Sequence, residues 1–273
     1  MSSAASRPGP APRRLRRFLT WCPPLLVLLT CVQALSRQLG AGLPLSRGVR
    51  AYRWFTRDWR AFRRLDHHRR FALDPVNLDP YLTDRTETTP VEPVYFVQDT
   101  WFAGRIAQRR PERHVDVGSS AKTMALVAQF IPVTMVDIRP VPLTVPGFTF
   151  ARGSILALPF ADGAVASLSS LCVIEHIGLG RYGDDLDPEG SEKAVAELRR
   201  VLAPGGDLYL SVPVDAECQV YFNAHRAFTR EYVLELCAGL ELVTEQHLYG
   251  FDVVPAYDAA RGFGTGMYHF RRS

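Results

Sequence analysis

None of the chain's five cysteines, Cys22, Cys31, Cys172, Cys218 and Cys237, is spaced as CxxC, and their number is odd. That excludes a closed disulfide framework and a zinc knuckle, and it fits a reducing compartment. There is no internal repeat, no helix-turn-helix pattern and no RNA-binding motif, so nucleic acid is disfavoured as a partner. Acids are nearly missing from the first 70 residues, which hold 15 Arg, no Lys and only Asp58 and Asp66, a net of +13. The other 203 residues hold 17 Lys+Arg against 26 Asp+Glu, a net of −9. The basicity therefore belongs to an arm, and the folded body is acidic.

What the arm does contain is apolar and aromatic. Residues 1–12 are rich in Ser, Ala and Pro, Arg13, Arg14, Arg16 and Arg17 follow, and Phe18 to Leu35 is uncharged, with Pro23-Pro24 to interrupt a helix there. Three readings stand open: a membrane anchor or surface helix, a secretory signal, and a helix packed on protein. Residues 47–70 interleave Arg with Tyr52, Trp54, Phe55, Trp59, Phe62 and Leu65. Wrapped as a helix, they offer an aromatic face and an Arg face, suited to an anionic membrane surface reached through residues 13–70. The alternative is a solvated helix that packs its aromatics on the body. The expected division is 1–46 for the start and apolar segment, 47–98 for a basic helix and Pro-rich cap, and 99–273 for the main domain. The expected location is cytoplasmic, with membrane association through the N-terminal segment.

Beyond the cap, Asp99 or Thr100 is placed to start a helix over Trp101–Arg109, closed by Pro111. Strand patterns then cover His114–Val117, Val133–Ile138, Phe148–Ala151, Ala164–Ile174, Asp207–Val214, Leu242–Tyr249 and Gly266–Arg271. Helical patterns cover Thr123–Phe130, Glu189–Leu202 and a segment from Thr229 to Leu240. This alternation predicts an α/β fold: a doubly wound, mainly parallel seven-stranded sheet with an antiparallel C-terminal strand. Ligands of such sheets bind beyond the carboxyl ends of the strands, where the order reverses. The loops after Val117, Ile138, Ala151 and Ile174 then share one rim.

The first turn reads DVGSS, with an acid before a single glycine, and Asp137 follows Asp116 by 21 residues. An acid at the end of a second strand is placed to accept two ribose hydroxyls. The turn lacks the GxGxxG on which a pyrophosphate approaches, which sets an NAD-dependent oxidoreductase aside. An acid there repels phosphate and accepts from an ammonium group, which favours S-adenosylmethionine.

Together DVGSS (116–120), VDI (136–138), GSILALPFADG (153–163), LSSLCVIEH (168–176) and ELRRVLAPGGDLYLSVPV (197–214) resemble class I methyltransferases of the small glycine-loop type. More narrowly, DRTETTP (84–90), QDTW (98–101), IPVTMVDIRP (131–140), EHIGLGRYGDDLDP (175–188) and FNAHRAF (222–228) look like an uncharacterised family of methyltransferase-like proteins, some associated with surface-polysaccharide biosynthesis. The resemblance implies that Asp116, Gly118 and Ser119 lie near the methionine end of the cofactor, with Ser120 next to them also counted among the cofactor-binding residues. It puts Asp137 on the ribose, Ile138 against the adenine, and Ser154 and Ile155 at the adenine's edge. Ser120 replaces a common second glycine and Ser154 a common Asp, the latter change costing roughly 1 kcal/mol of cofactor binding.

At the end of the fourth strand His176 is the first candidate base, with Glu175 beside it. His225 is a further catalytic candidate, and Asn223 and Arg226 are placed to recognise an acceptor. Asp184, Asp185 and Asp187 have no spacing that selects a cation, so no metal is expected. Tyr95, Phe96 and Trp101 are placed to roof the acceptor pocket or to pack the cap shut. The expected activity is methyl transfer to a hydroxyl of a small molecule, glycan or lipid-linked sugar. The rival is a catalytically silent domain of the same fold, motivated by Ser120 and Ser154.

Overall fold

A computed structural model describes residues 45–273 apart from 69, 72 and 75–77. The expectations for the Ser- and Pro-rich start and for Phe18–Leu35 lie outside the described residues. Among the described residues no helix is long and apolar enough to cross a membrane.

The chain divides into two compact units, one ending at Pro90 and one running Val91–Ser273. The first contains helix α1, Leu45–Leu65. At about 100° per residue, Arg50, Arg53, Arg57, Arg60 and Arg64 fall on one stripe, and all five are exposed. Tyr52, Phe55, Trp59 and Phe62 fall on the opposite side of the helix. Within this unit Arg85 lies over the Trp54 ring at 5.3 Å and pairs with Asp58 at 3.4 Å.

The second unit begins with α2, Pro93–Arg109, where the sequence pattern placed a shorter helix starting after Asp99. The true cap is Glu92, whose side chain accepts from the Tyr95 N–H at 2.6 Å, and Pro93 occupies the first turn, where its missing N–H costs nothing. Strands β1 (His114–Val117), β2 (Val133–Asp137), β3 (Phe148–Arg152), β4 (Val165–Leu171) and β5 (Leu202–Val214) follow in parallel. Helices α3 (Ala121–Val127) and α4 (Gly190–Val201) connect them. A small antiparallel pair, β6 (Gln219–Tyr221) and β7 (His225–Ala227), stands apart. Helix α5 (Arg230–Leu236), β8 (Leu240–Tyr249), β9 (Asp252–Val254) and β10 (Gly264–Arg272) complete the chain.

The sheet order is β3-β2-β1-β4-β5-β10-β8-β9, with β10 antiparallel to both β5 and β8. This is the doubly wound, mainly parallel sheet that the sequence pattern predicts, with an antiparallel C-terminal strand. It has eight strands among the described residues rather than seven, because β8 turns at Gly250 (φ 64°) into the short β9. Two further boundaries differ from the sequence pattern. The fourth strand stops at Leu171, since Cys172 adopts a left-handed φ of 52° and a 3₁₀ turn covers Ile174–His176. The Pro204-Gly205-Gly206 turn lies within β5, where the pairing with β4 shifts register between Val165 and Ser167.

Strand alternation sends Val115, Val117, Leu168, Leu208, Leu210 and Val212 to one face, packed with Ala194, Val195 and Leu198 of α4. The other face meets α2, whose buried Gln98, Trp101, Phe102 and Ile106 recur at helical spacing. That second face is unusually polar: it carries His114, Asp116, Ser167, Ser169, Asp207, Ser211 and His269, all buried. Each must find partners inside the protein. Asp207 takes Arg109 at 2.8 Å, His269 at 2.8 Å and Arg271 at 2.8 Å. Ser211 donates to Gln98 Oε1 at 2.5 Å.

Candidate functional site

The pairing of Val117 with Val136 sets Gly118 and Asp137 side by side at the carboxyl ends of β1 and β2. Gly118 N donates to Val136 O at 2.9 Å. Its φ of +73° and the packing of Val173, whose Cγ1 lies 2.9 Å from where a Cβ would stand, both require glycine. The Asp137 carboxylate is mostly covered, its side chain 12% exposed, and Oδ1 accepts from Arg139 N at 2.8 Å. Ile138 next to it is 36% exposed, an apolar surface at the rim.

Asp116 is fully buried. Its oxygens accept from Ser119 N at 3.1 Å and from the Ser169 hydroxyl at 3.1 Å, so it shapes the turn. Burial pushes its carboxyl up to about 7, against the pull of the Ser119 and Ser169 hydrogen bonds. Behind it His114 stands 2.8 Å from both the Ser167 and Ser169 hydroxyls. Because Ser169 donates to Asp116, it accepts from His114 Nε2, and Ser167 donates to Nδ1. Burial lowers His114 to about 3, keeping this chain of hydrogen bonds neutral.

The serines of the turn are also engaged by the fold. Ser119 Oγ accepts from Leu171 N at 2.9 Å, which ties the loop to β4, and Ser120 Oγ caps α3 through Thr123 N at 3.4 Å. Ser154 Oγ accepts from Leu156 N at 3.2 Å, and the Ile155 side chain is buried in the main core. Of the residues expected to hold a cofactor, Gly118, Asp137 and Ile138 are therefore the ones whose placement at the rim suits direct contact. Ser154 and Ile155 remain near it through their main chain, since β2 pairs with β3 up to Asp137 and Arg152. A nucleoside fits this set: a glycine where a side chain is barred, a carboxylate beside it, and an apolar shelf next to that.

Glu175 and His176 lie on the 3₁₀ turn after β4. His176 Nδ1 is 2.7 Å from Ala224 O and must donate to it, leaving the Nε2 lone pair 3.6 Å from Glu175 Oε1. Burial lowers the imidazole to about 4, so it is neutral at pH 7. Glu175 is 1% exposed, and its Oε2 has no partner. Burial pushes its carboxyl up to about 8, despite its bond with Cys172 and the nearby Arg181. Tyr95 of α2 is close to this group: burial, with Cys172, Tyr182 and Glu175 nearby, raises its phenol to about 12.

His225 lies beside Tyr221 at 5.0 Å and Phe263 at 5.6 Å, tilted to both rings, with burial and Arg181 lowering its imidazole. Arg226, expected at an acceptor, is spent on the fold instead. Its guanidinium donates to Ile177 O, Ser191 Oγ, Asp187 O and Pro188 O. Asp184 is likewise internal, accepting from Gly178 N at 2.6 Å and Tyr182 N at 3.3 Å. Among the described residues no group of three or more His, Cys, Asp or Glu is placed to hold a metal ion.

Several site residues escaped the sequence reading. Asp99, taken there as a helix cap, lies within α2 and accepts from the Thr123 hydroxyl at 2.5 Å, joining α2 to the start of α3. Tyr182 lies against Arg139 and Arg181, with guanidinium-to-ring distances of 4.2 and 5.2 Å. The segment GLGRYG, 178–183, spells a glycine pattern of the dinucleotide type. It follows a 3₁₀ turn and precedes no helix directly, so its glycines, at φ +80°, +70° and +85°, serve to fold a loop.

Residues 162–257 match a family described as Caenorhabditis protein of unknown function, DUF268. Comparison with curated protein sequences gives no match. Among solved structures the chain is similar to the N-methyltransferase NodS from Bradyrhizobium japonicum in complex with S-adenosylhomocysteine, at 18% identity and a TM-score of 0.49, covering 72% of this chain and 93% of that one. It is also similar to the Burkholderia thailandensis 1,6-didemethyltoxoflavin-N1-methyltransferase, at 16% identity and 0.48, covering 69% and 93%. A third similar structure is the [4+2]-cyclase SpnF, at 17% identity and 0.48, covering 64% and 81%.

Proposed function

We propose that this chain binds S-adenosylmethionine at the rim of β1 and β2 and transfers its methyl group to a hydroxyl of a small-molecule or sugar acceptor at the end of β4. The observation that carries the reading is the adjacency of Gly118 and Asp137 at the carboxyl ends of neighbouring parallel strands. When bound, the cofactor supplies an electrophilic methyl group on a sulfonium. Gly118 leaves room for the cofactor's approach, Asp137 accepts from ribose hydroxyls, and Ile138 lies against the base.

Methyl transfer needs mainly alignment of the acceptor. The Nδ1–H of His176 is held by Ala224 O, so Nε2 is the nitrogen that accepts; the ring is neutral at pH 7 and free to take a proton from a hydroxyl, with alignment rather than strong basicity carrying the step. Exposed Tyr221, Phe222 and Phe263, near His225, offer apolar faces against which the body of an acceptor packs. Mass spectrometry of candidate hydroxyl acceptors incubated with methyl-labelled cofactor tests this reading: a labelled product that His176→Ala abolishes supports it. Product formed at an unchanged rate by His176→Ala removes the base assignment.

A second reading, a silent binding domain, is favoured by one set of observations. The hydroxyls of Ser119, Ser120 and Ser154 are committed to the fold, and Asp137 Oδ1 already accepts from Arg139 N. Absence of binding at millimolar S-adenosylhomocysteine favours that alternative.

A further inference from the structure

Arg139 lies two residues beyond β2, and Tyr182 lies in the loop after β4. These strands are not neighbours, because β1 runs between them. With strands about 4.8 Å apart, a side-chain contact between the β2 and β4 loops has to pass over the end of β1. That end is Gly118. The guanidinium of Arg139 nevertheless sits 4.2 Å from the centre of the Tyr182 ring, so the contact forms a clasp across the mouth of the crevice.

The loop that carries Tyr182 is pinned at its base by main-chain contacts and held at its tip by side chains, where the Tyr182 ring also stands edge-on to His176 at 5.5 Å. At the base, Asp187 N donates to Gly178 O at 3.0 Å, and Arg226 holds the carbonyls of Ile177, Asp187 and Pro188. Gly178 is locked there, since a Cβ would fall 2.0 Å from Asp187 O. At the tip, Tyr182 meets Arg139, and Arg181 donates to Ala224 O at 2.8 Å. Gly183 beside it, at φ +85°, has nothing within 4 Å of a Cβ position, which leaves the tip room to turn. Arg139 also approaches Asp137 Oδ1 at 3.5 Å, so one guanidinium touches both the clasp and the carboxylate assigned to the ribose.

We infer that Tyr182 and Arg139 form a gate over the cofactor crevice, which opens to admit the nucleoside and closes over it. This rests on the cofactor reading above. The pair sets the rates at which the cofactor arrives and leaves, a gating role common to loops over ligand sites. A cation–ring contact between a half-buried Tyr182 and a half-exposed Arg139 is weak enough to open thermally and strong enough to bias the closed form.

The test is stopped-flow binding of S-adenosylhomocysteine to the full chain. Tyr182→Ala is expected to raise both the association and dissociation rate constants by about fivefold, the worth of one such contact. Tyr182→Phe, which keeps the ring, is expected to behave as wild type. Should Tyr182→Ala fold poorly, Arg139→Gln breaks the contact from the other side and carries the same expectation for association. Unchanged or lower association rates in a variant that still binds overturn the gate alone. Absence of binding by the wild-type chain removes the cofactor reading and the gate with it, and an Asp137→Ala control that binds as wild type removes the ribose assignment separately.

Discussion

Gly118 donates its N–H to the carbonyl of Val136, so the only residue of the first turn able to turn left-handed at no cost stands directly beside the carboxylate of Asp137. Replacing Gly118 by Ala sets a Cβ against Val173 and strains the backbone at φ +73°. We expect a loss of stability of about 1–3 kcal/mol by chemical denaturation, together with weaker cofactor binding. A variant as stable as wild type contradicts the packing described.

Glu175 gives a pH dependence with a definite sign. Its carboxyl is raised to about 8 by burial, so the folded chain holds a proton that the unfolded chain releases above its ordinary value near 4.5. The contribution of Glu175 to stability is therefore full below about pH 4.5 and declines as pH rises toward 8. Glu175→Gln, neutral at every pH, is expected to gain stability relative to wild type across that window when both are unfolded with urea at several pH values. A difference that stays flat from pH 5 to 8 contradicts a buried protonated acid.

Asp207 gathers Arg109, His269 and Arg271, and although burial opposes its ionisation, their hydrogen bonds hold its carboxyl below the usual range. Its contribution is present above its unfolded value and is lost as pH falls through the lowered folded one. Asp207→Ala leaves three basic side chains without their shared acceptor, one of them the buried His269. We expect a cost of about 2–4 kcal/mol at pH 7.

Much of the fold was legible because apolar patterning survives in short segments: β1 has its expected bounds, β10 extends the expected Gly266–Arg271 slightly at each end, and β5 contains the expected Asp207–Val214 but begins earlier, at Leu202. The start of α2 was misread because its first turns carry Pro93, Tyr95 and Phe96, residues that also mark irregular caps, while the deciding contact is a Glu92 side chain folding back on Tyr95 N. At the site, the strand-end positions of Gly118 and Asp137 followed from spacing. The occupation of Ser119 by Leu171 N, of Arg226 by four acceptors, and of Tyr182 by Arg139 did not, since each joins residues 35 to 52 positions apart in sequence. Side-chain commitments of that range depend on the packed loops and leave no local signal.

The arm yields its own expectation. We propose that the exposed stripe Arg50, Arg53, Arg57, Arg60 and Arg64 of α1 meets an anionic membrane surface, each Arg near the surface adding about 1 kcal/mol. The full chain should sediment with vesicles containing phosphatidylserine, and a variant with these five changed to Gln should do so less. Equal sedimentation with neutral vesicles, or with the five changed, contradicts the role of the stripe.

Calorimetric titration of the full chain with S-adenosylhomocysteine, beside Asp137→Ala, bears most directly on the central claim. The account predicts saturable binding by the wild-type chain and an affinity lowered more than about tenfold in the variant, as loss of a charged hydrogen-bond acceptor implies. No heat at millimolar ligand, or equal affinity in the two proteins, would contradict it.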